Sequence, residues 1–196
     1  MLIAKETCDQ YTDNELVEET LRNVDYLSCI YARYEQRLLR FITRISSLNA
    51  EESRDVLQDA FIKIWKNLNA YDPSVKLSSW LYRIVRNETI SQWRKKTGYG
   101  KVSMVPITEK MENVLPELLE ADDLTEEGID LLHNLVDGIP GKYREVIVLR
   151  YFEKMNYEEI SDVLKIPEGT VAARLNRGRK MVGGLIREQR IEFESN

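Results

Sequence analysis

Hydrophobic residues recur every three or four positions along most of the chain, a spacing that predicts helices and therefore an all-α fold. The first such stretch follows Thr12, whose hydroxyl can cap a helix together with the acid three residues later. A longer stripe runs through residues 27–45, and after an interruption at residues 46–53 a third covers residues 55–68. Its apolar residues come in neighbouring pairs, so we expect one buried ridge that includes Trp65.

A turn-rich loop at residues 69–74 separates this ridge from a further helix, expected over residues 77–96. That helix combines inward apolar positions with basic residues, among which stand the rings of Trp80, Tyr82 and Trp93. Aromatic faces can stack on unpaired bases while cations follow phosphates, so one interpretation is a surface for single-stranded nucleic acid. Because tryptophans are mostly buried, an ordinary core role for Trp80 and Trp93 fits the same pattern.

The clearest motif of the chain lies at residues 156–182, where two short apolar stripes flank Pro167-Glu168-Gly169. A helix does not continue through this turn, and Thr170 supplies a hydroxyl where the second helix needs an N-terminal cap. The second helix carries no acid up to Val182, and its cations are Arg174, Arg177, Arg179 and Lys180. The pattern is typical of a helix-turn-helix whose basic second helix enters the DNA major groove. DNA binding is favoured over a merely solvated basic helix.

Charge is distributed unevenly, although the net charge of the 196-residue chain is only −5. Residues 76–101 carry seven basic side chains against one acid, whereas residues 109–137 carry ten acids against one lysine. Local patches, more than the total, decide attraction to a polyanion. Nucleic acid therefore remains a suitable partner in spite of the negative net charge.

The acidic part of the chain predicts a linker between two helical regions. Residues 101–125 contain two prolines and few core-forming patterns, which is typical of an extended segment. Beyond it, residues 126–136 predict a short helix, and Pro140 suits the first turn of another. The last helix is expected to reach about residue 190.

Several classes of protein are disfavoured by the residues that the chain lacks. Cys8 and Cys29 are interpreted as two thiols without metal-site spacing, the latter as a small core residue, and His133 is the only histidine. They cannot complete a zinc site or a serine-type catalytic triad, and no phosphate-binding glycine loop is present. Residues 1–10 look frayed and carry no signal-peptide pattern, and no apolar run is long enough to span a membrane. We therefore expect a cytoplasmic protein without enzymatic activity, cofactor, metal or membrane insertion.

Two blocks of these residues together resemble bacterial RNA polymerase sigma factors of the extracytoplasmic-function (ECF) group. The first block lies in residues 31–96 and includes the sequences DVLQDAF, from Asp55, and SWLYRIVRN, from Ser79. The second runs through residues 139–179 and includes Gly169-Thr170-Val171 and Arg177-Gly178-Arg179. Either block alone is moderately specific, whereas both in this order around an acidic linker are strongly specific.

The resemblance implies two small helical domains and a transcription initiation factor that binds core RNA polymerase and directs it to promoters. Residues 11–98 would bind the polymerase and read and help melt the minus-ten element, and residues 126–190 would form the helix-turn-helix domain for the minus-thirty-five element. Residues 99–125 would be the flexible acidic linker. The second domain would also touch the polymerase flap, and an inhibitory anti-sigma partner is implied by the resemblance alone.

Individual residues acquire roles by matching position in the family. Those that would face the clamp coiled coil of the polymerase are Asp55, Gln58 and Asp59. Those that would contact the minus-ten element, as duplex or as unpaired non-template strand, are Tyr71, Lys76, Trp80, Arg83, Arg86, Asn87 and Arg94. Those that would contact the minus-thirty-five element are Thr170, Ala172, Ala173, Arg174, Arg177 and Arg179. Ala172 and Ala173 depart from the basic and hydroxyl residues common at these positions, but their methyl groups can meet thymine methyls.

Two other classes of function fit parts of the sequence. A conventional helix-turn-helix regulator that binds duplex DNA without polymerase explains residues 156–182 but leaves residues 55–87 without a role. A structural helical adaptor would use the charged faces to bind proteins only. Association with core polymerase and sequence-dependent promoter binding distinguish these alternatives from a sigma factor.

Overall fold

The computed structural model describes residues 3–97 and 135–194, and all regular structure within them is helical, as the sequence predicts. The chain divides into two compact units, Met1–Gly98 and Tyr99–Asn196. The first contains α1 (Lys5–Cys8), α2 (Asp13–Arg22), α3 (Leu27–Ile45), α4 (Ala50–Asn67) and α5 (Leu77–Thr97). The second contains α6 (Gly141–Ile147), a π-helical turn at Val148–Phe152, α7 (Tyr157–Leu164) and α8 (Glu168–Glu194). Within the described ranges, none of these helices has the length and apolar character needed to cross a membrane.

Part of the sequence-based organisation falls between the two described ranges. The acidic linker expected at residues 99–125 lies outside the described residues, and so does most of the helix expected at residues 126–136. At the end of that stretch Val136–Gly138 forms a 3-10 turn, and Pro140 then stands directly before α6.

Capping boxes define where α2 and α4 begin. At α2 the Glu15 backbone N–H donates to the Thr12 hydroxyl over 3.3 Å, and the Glu15 carboxylate accepts from the Thr12 backbone N–H over 2.7 Å, as expected from the sequence. Asn49 and Glu52 form the same arrangement at α4. The interruption expected at residues 46–53 is therefore shorter, because the polar first turn of α4 is fixed by its cap before the apolar ridge begins.

Helices α3, α4 and α5 pack on one another and enclose the core of the first unit. Phe41 of α3 and Tyr82 of α5 are fully buried, with ring centroids 4.9 Å apart in an edge-to-face arrangement. The inclusion of Tyr82 in a nucleic-acid surface is thus wrong, since its position on α5 faces the core. Trp65 is also misplaced by the sequence pattern: Ile64 is completely buried, whereas Trp65 is 41% exposed.

Residues 3–10, the described part of the N-terminal segment, are held in place by a disulfide between Cys8 and Cys29, which corrects the expectation of two thiols and of fraying over these residues. Cys8 ends α1 and Cys29 lies in the first turn of α3. Arg33, one turn further along α3, donates to the backbone carbonyls of Cys8 and Tyr11, each over 2.8 Å. Spacing alone did not indicate this pairing, because residues remote in sequence meet only once α2 folds back on α3.

In the second unit α8 packs against both α6 and α7. A side-chain Cβ at Gly178 would lie 3.0 Å from Cγ1 of Ile147 and 3.5 Å from Cβ of Tyr143. Glycine therefore suits the crossing of α6 and α8, because the backbone of α8 comes so close to buried side chains that a Cβ would have to displace Ile147.

The turn between α7 and α8 differs in detail from the sequence-based expectation. Lys165 adopts the left-handed conformation, with φ of 53°, and ends α7, while Pro167 immediately precedes α8. Helix α8 already begins at Glu168, so Thr170 lies in its first turn and its backbone N–H donates to the Pro167 carbonyl over 2.8 Å. Proline suits the position just before a helix because it lacks the N–H that would remain unpaired. The chain reversal is thus made by Lys165, and Gly169 belongs to the helix.

Candidate protein and nucleic-acid interfaces

The polar residues expected on α4 form one accessible face. Asp55, Gln58 and Asp59 are all exposed, and they occupy neighbouring turns of α4 away from its buried ridge. The side-chain amide of Gln92, on α5, donates to the Asp59 carboxylate over 3.1 Å. This face therefore offers two carboxylates and an amide to a partner, with Asp59 oriented from a neighbouring helix.

An apolar groove of about 410 Å³ adjoins this polar face and was not predicted from the sequence. It runs between α3 and α4, and its walls include Leu27, Tyr31, Phe61 and Trp65. The Tyr31 and Phe61 rings meet edge to face at 4.8 Å. Gln58 also lines the groove, so the polar face and the apolar groove form one continuous surface. The signal in the sequence was Ile62, a bulky apolar residue outside the expected ridge; Ile62 and Trp65 are 46% and 41% exposed.

A buried carboxylate joins α4 to α5 beneath this surface. Glu88 is 4% exposed, and its carboxylate forms an ion pair with the ammonium group of Lys63. The Gln92 amide also lies within hydrogen-bonding distance of Glu88, at 3.2 Å. A charge this deeply buried requires such partners, because an uncompensated carboxylate in the interior is costly. Both helices are thereby fixed relative to each other close to Asp59.

The loop before α5, residues 71–76, is organised around Tyr71. The Tyr71 phenol lies 2.7 Å from the Val75 carbonyl and 2.9 Å from Oδ1 of Asn14. Burial, and then the charges of Asp13 and Asp72, raise the pKa of Tyr71, so its phenol stays protonated at neutral pH. The loop therefore has a fixed internal support and a connection to the first turn of α2.

Tyr71 and Trp80 are 8% and 6% exposed, and their ring centroids are 5.6 Å apart in an edge-to-face arrangement. Lys76 is exposed at the end of the same loop. In this structure the two rings support the loop from inside, and Lys76 provides its accessible charge. The core role that the sequence left open for Trp80 thus agrees with its burial, and contact of either ring with a base stays a prediction.

The cations of α5 become more accessible toward its C-terminal end. Arg83 and Arg86 are half-buried, and Arg94 is exposed. Arg86 donates to the side-chain oxygen of the exposed Asn87 over 3.3 Å, which leaves the Asn87 amide NH₂ available as a donor. Trp93 is half-buried, and its indole N–H lies 3.4 Å from the Ser47 hydroxyl.

The outward face of α8 contains more groups than the sequence singled out as contacts. Ala173 and Arg177 are exposed, and Asn176 and Lys180 lie on the same side. Val171, Leu175 and Val182 are buried as expected. Half-buried positions flank the exposed face at Thr170, Ala172, Arg174 and Arg179. The pattern of charges did not indicate Asn176, because its amide is neutral, although an asparagine can recognise adenine through two hydrogen bonds.

Arg177 is supported from α6. The buried Tyr143 packs along Gly178, and the Lys142 ammonium lies 4.9 Å from the centre of the Tyr143 ring. Burial alone raises the pKa of Tyr143, but the Arg177 and Lys142 cations beside its hydroxyl outweigh that effect, and its pKa lies below the ordinary value. Helix α6 therefore contributes a cation and an oriented phenol to the edge of the basic face.

Comparisons with known proteins agree with both units. The Sigma-70 region 2 family matches residues 30–98, and the Sigma-70, region 4 family matches residues 129–182. The ECF RNA polymerase sigma factor SigW of Bacillus subtilis is 32% identical over 162 residues, which cover 79% of this chain and 86% of that protein. The ECF RNA polymerase sigma-E factor of Haemophilus influenzae is 28% identical over 182 residues, covering 89% of this chain and 95% of that protein.

Two solved structures share the fold. CnrH, in a complex with the cytosolic domain of CnrY, superposes with a TM-score of 0.66 at 21% identity, covering 90% of this chain and 97% of that one. The sigma factor RpoE of Bartonella quintana, in a complex with the anti-sigma factor NepR, gives a TM-score of 0.59 at 22% identity, covering 80% of this chain and 94% of that one.

Proposed function

The chain belongs to the ECF group of RNA polymerase sigma factors, initiation factors that direct RNA polymerase to promoters, and we propose that it reads the minus-ten and minus-thirty-five elements with separate units. The domain boundaries we propose are residues 11–98 for polymerase and minus-ten binding and residues 126–190 for minus-thirty-five binding. Residues 99–125 would connect them as an acidic linker. The protein would act in the cytoplasm, where the polymerase works, without chemistry of its own.

The polymerase would bind the continuous surface formed by the polar face of α4 and the apolar groove beside it. Exposed Trp65 and Tyr31 supply the kind of aromatic area that dominates binding energy in protein interfaces. Asp55, Gln58 and Asp59 would pair with polar groups at the rim and set the orientation of a docked helix from the clamp coiled coil. An apolar groove with charged residues along one side is a common way for proteins to bind an amphipathic helix. This combination is the observation that carries the polymerase-binding part of the proposal.

The minus-ten element would be bound by the loop at residues 71–76 and by the exposed side of α5. Asn87 offers an amide for the edge of an unpaired base, and Lys76 and Arg94 offer charge for phosphates. Arg83 and Arg86, which are half-buried, would reach the backbone at the edge of the duplex. Holding a base out of the stack costs a few kcal/mol, which phosphate contacts would offset. Tyr71 and Trp80 would contribute by supporting the loop. Their rings would also stack on an unpaired base if promoter binding separated them from each other.

The minus-thirty-five element would be read by the outward face of α8 in the major groove. Arg177 is the candidate for a guanine, and Asn176 extends the proposal to an adenine contact. Ala173 would meet a thymine methyl. The remaining residues of this face are proposed to contact the DNA backbone or to let α8 lie close to the DNA: Thr170, Ala172, Arg174, Arg179 and Lys180. The second unit would also contact the polymerase flap.

An anti-sigma protein is the proposed regulator. Both of the solved relatives described above are named in complexes with another protein, one of them an anti-sigma factor. The apolar groove of this chain is a suitable place for such a protein to compete with the polymerase, because exposed aromatic rings favour either partner. A purified inhibitor that binds unchanged to a Trp65→Ser variant would argue against this site.

Transcription in vitro tests the proposal most directly. Core RNA polymerase is incubated with a library of genomic DNA, with and without the purified chain, and the start sites of the transcripts are mapped. We expect new start sites that share two conserved elements at the spacing of minus-ten and minus-thirty-five. The same set of start sites with and without the chain would refute the proposal. Sequence-dependent DNA binding without polymerase association would instead favour a conventional helix-turn-helix regulator.

A further inference from the structure

The disulfide between Cys8 and Cys29 closes a loop that contains the whole of α2. Cys8 is 6% exposed and Cys29 is 1% exposed, so the bond lies under the surface of the first unit. A cross-link of this kind restricts every segment inside the closed loop, because fewer conformations remain open to it. The disulfide therefore limits how far α2 can move relative to α3.

Non-covalent contacts converge on the same place. Arg33 of α3 donates to the carbonyls of Cys8 and Tyr11 and to the Asp13 carboxylate, each over 2.8 Å. The hydroxyl of Tyr34 donates to the other oxygen of Asp13 over 2.5 Å. The start of α2 is thus positioned by the disulfide on one side and by two side chains of α3 on the other.

The start of α2 in turn supports the loop at residues 71–76. Asn14, next to Asp13, reaches the Tyr71 phenol at 2.9 Å, and the same phenol lies 2.7 Å from the Val75 carbonyl. The Tyr71 hydroxyl is the donor toward both oxygens, the Val75 carbonyl and Oδ1 of Asn14, so its single proton is shared between the loop and the start of α2. That arrangement requires Asn14 to keep its place, and Asn14 lies within the loop closed by the disulfide.

From these contacts we propose that Cys8 and Cys29 form a reversible thiol–disulfide site. Its oxidation state controls, through Asn14 and Tyr71, how firmly the loop at residues 71–76 is held in its conformation. The oxidised form holds the loop ready for an unpaired base, and the reduced form holds it less firmly. The role of the loop in promoter binding rests on the function proposed above. A redox role suits a disulfide in a protein of the cytoplasm, where thiols are normally kept reduced.

The chemistry is an ordinary exchange with a dithiol or a peroxide. A reductant thiolate attacks the Cys8 sulfur, the S–S bond breaks, and the Cys29 thiolate leaves and takes up a proton. The second thiol of the reductant then displaces Cys8, so that two electrons and two protons have passed to the protein. In the reverse direction hydrogen peroxide accepts two electrons and two protons from the two thiols and becomes two water molecules. The attack is written at Cys8 because it is the less deeply buried of the two cysteines, with 6% of its surface exposed against 1% for Cys29.

Hydrogen exchange on the full chain tests the coupling without any partner. The oxidised protein is compared with the protein in dithiothreitol, and the Cys8→Ser/Cys29→Ser double variant is measured under both conditions as the control. We expect reduction to speed amide exchange about fivefold or more at residues 3–14 and also at residues 71–76, because local opening becomes easier in both segments. The double variant should exchange at the reduced rate in both buffers. Faster exchange confined to residues 3–14 would overturn the proposal, since a merely structural disulfide would produce that result.

A binding measurement extends the test to the promoter. Core polymerase and the chain are titrated with a fluorescent single strand that carries the minus-ten sequence, and we expect about threefold or more weaker binding after reduction, with no redox response in the double variant. Equal binding by oxidised and reduced protein, or tighter binding by the reduced form, would overturn the proposal. If neither form binds the strand, the promoter function fails, whereas the exchange experiment still decides whether the disulfide controls the loop.

Discussion

The side-chain amide of Gln92 donates to the Asp59 carboxylate over 3.1 Å and so connects α5 to the face of α4 proposed for polymerase. The same nitrogen lies 3.2 Å from Glu88, whose buried carboxylate pairs with Lys63. Asn87, proposed to handle a promoter base, is the neighbour of Glu88 in the chain. Gln92 and Glu88 therefore connect the polar face of α4 to the part of α5 that carries Asn87.

We predict that Asp59→Lys weakens association with core polymerase at least about tenfold, because it reverses a charge at the rim of the interface. Gln92→Ala leaves the carboxylate in place but removes its donor, and should cost about 1 kcal/mol of polymerase affinity, close to fivefold. Fluorescence anisotropy with labelled chain and core enzyme measures both. Lys66→Ala, an exposed change at the end of the same helix, is the matched control. Normal association of Asp59→Lys would move the polymerase contact away from this face.

Trp65→Ser tests the apolar groove separately from the charges. Trp65 is 41% exposed, so its loss should change the free energy of unfolding by less than about 1 kcal/mol, while polymerase affinity falls by about 2 kcal/mol or more. Ile64→Ala, one residue earlier and fully buried, should do the reverse and destabilise the unit by about 2–5 kcal/mol. Urea unfolding and polymerase titration of the two variants give the comparison. A Trp65→Ser protein with unchanged affinity would exclude the groove from the interface.

The contrast between Ile64 and Trp65 shows what the sequence could and could not predict. Helical period predicted the elements, and the cap at Thr12 was predictable because it acts within three residues of itself, whereas Thr170, expected as a cap, lies in the first turn of α8. Whether Trp65 or Ile64 faces inward depends on the direction from which α3 approaches α4. Spacing within one helix does not contain that information.

The same reasoning explains the two other corrections in the candidate sites. Cys8 and Cys29 meet because α2 folds back, a tertiary event with no local signal. Tyr82 shares the aromatic and basic composition of α5 but lies toward Phe41, and composition does not distinguish the faces of a helix. The basic face of α8 was predictable, since period and charge there coincide.

Arg177→Ala should weaken binding at the minus-thirty-five element by about 1–3 kcal/mol and relax the preference for one base, if Arg177 holds a guanine through two hydrogen bonds. Lys180→Ala is the matched control on the same exposed face. The Lys180→Ala change should weaken binding about equally on all sequences. It should also reduce the slope of log affinity against log salt concentration by about the amount expected for one phosphate contact. Both are measured with holoenzyme on a set of promoters altered at single positions. Unchanged promoter selection by Arg177→Ala would contradict the assignment.

Gly178→Ala is expected to destabilise the second unit although alanine favours a helix. The new Cβ would lie 3.0 Å from Cγ1 of Ile147, which is fully buried and has little room to move. Overpacking of this kind costs about 1–3 kcal/mol, against a gain of about 1 kcal/mol in helix propensity. Gly169→Ala is the matched control, because its Cβ would meet nothing within 4 Å and should stabilise α8 by up to about 1 kcal/mol. Thermal unfolding distinguishes the two, and equal shifts of both in the stabilising direction would show that Ile147 can give way.

Glu52 should make the stability of the first unit depend on pH in the acid range. Its carboxylate accepts from Lys96 over 2.5 Å and from the Asn49 backbone over 2.8 Å, and these hydrogen bonds, Lys96 first, lower the pKa of Glu52 below its ordinary value. A lowered folded pKa means that the stabilisation is fully present above the unfolded value of about 4.3 and is lost as pH falls through the folded pKa. The stability advantage of the wild type over Glu52→Gln should therefore be constant near neutral pH and disappear on acidification.

Urea unfolding at a series of pH values measures this difference, with Lys96→Met as the control that removes the main partner. The effect should be modest and should shrink in high salt, because the Lys96 side chain is 53% exposed and water screens the pair. In the Lys96→Met protein, the stability contributed by the Glu52 carboxylate should still depend on pH, but less strongly, because only the hydrogen bond from the Asn49 backbone remains. A wild-type advantage that stays the same down to about pH 3 would mean that the Glu52 carboxylate contributes through packing, and that neither partner lowers its pKa.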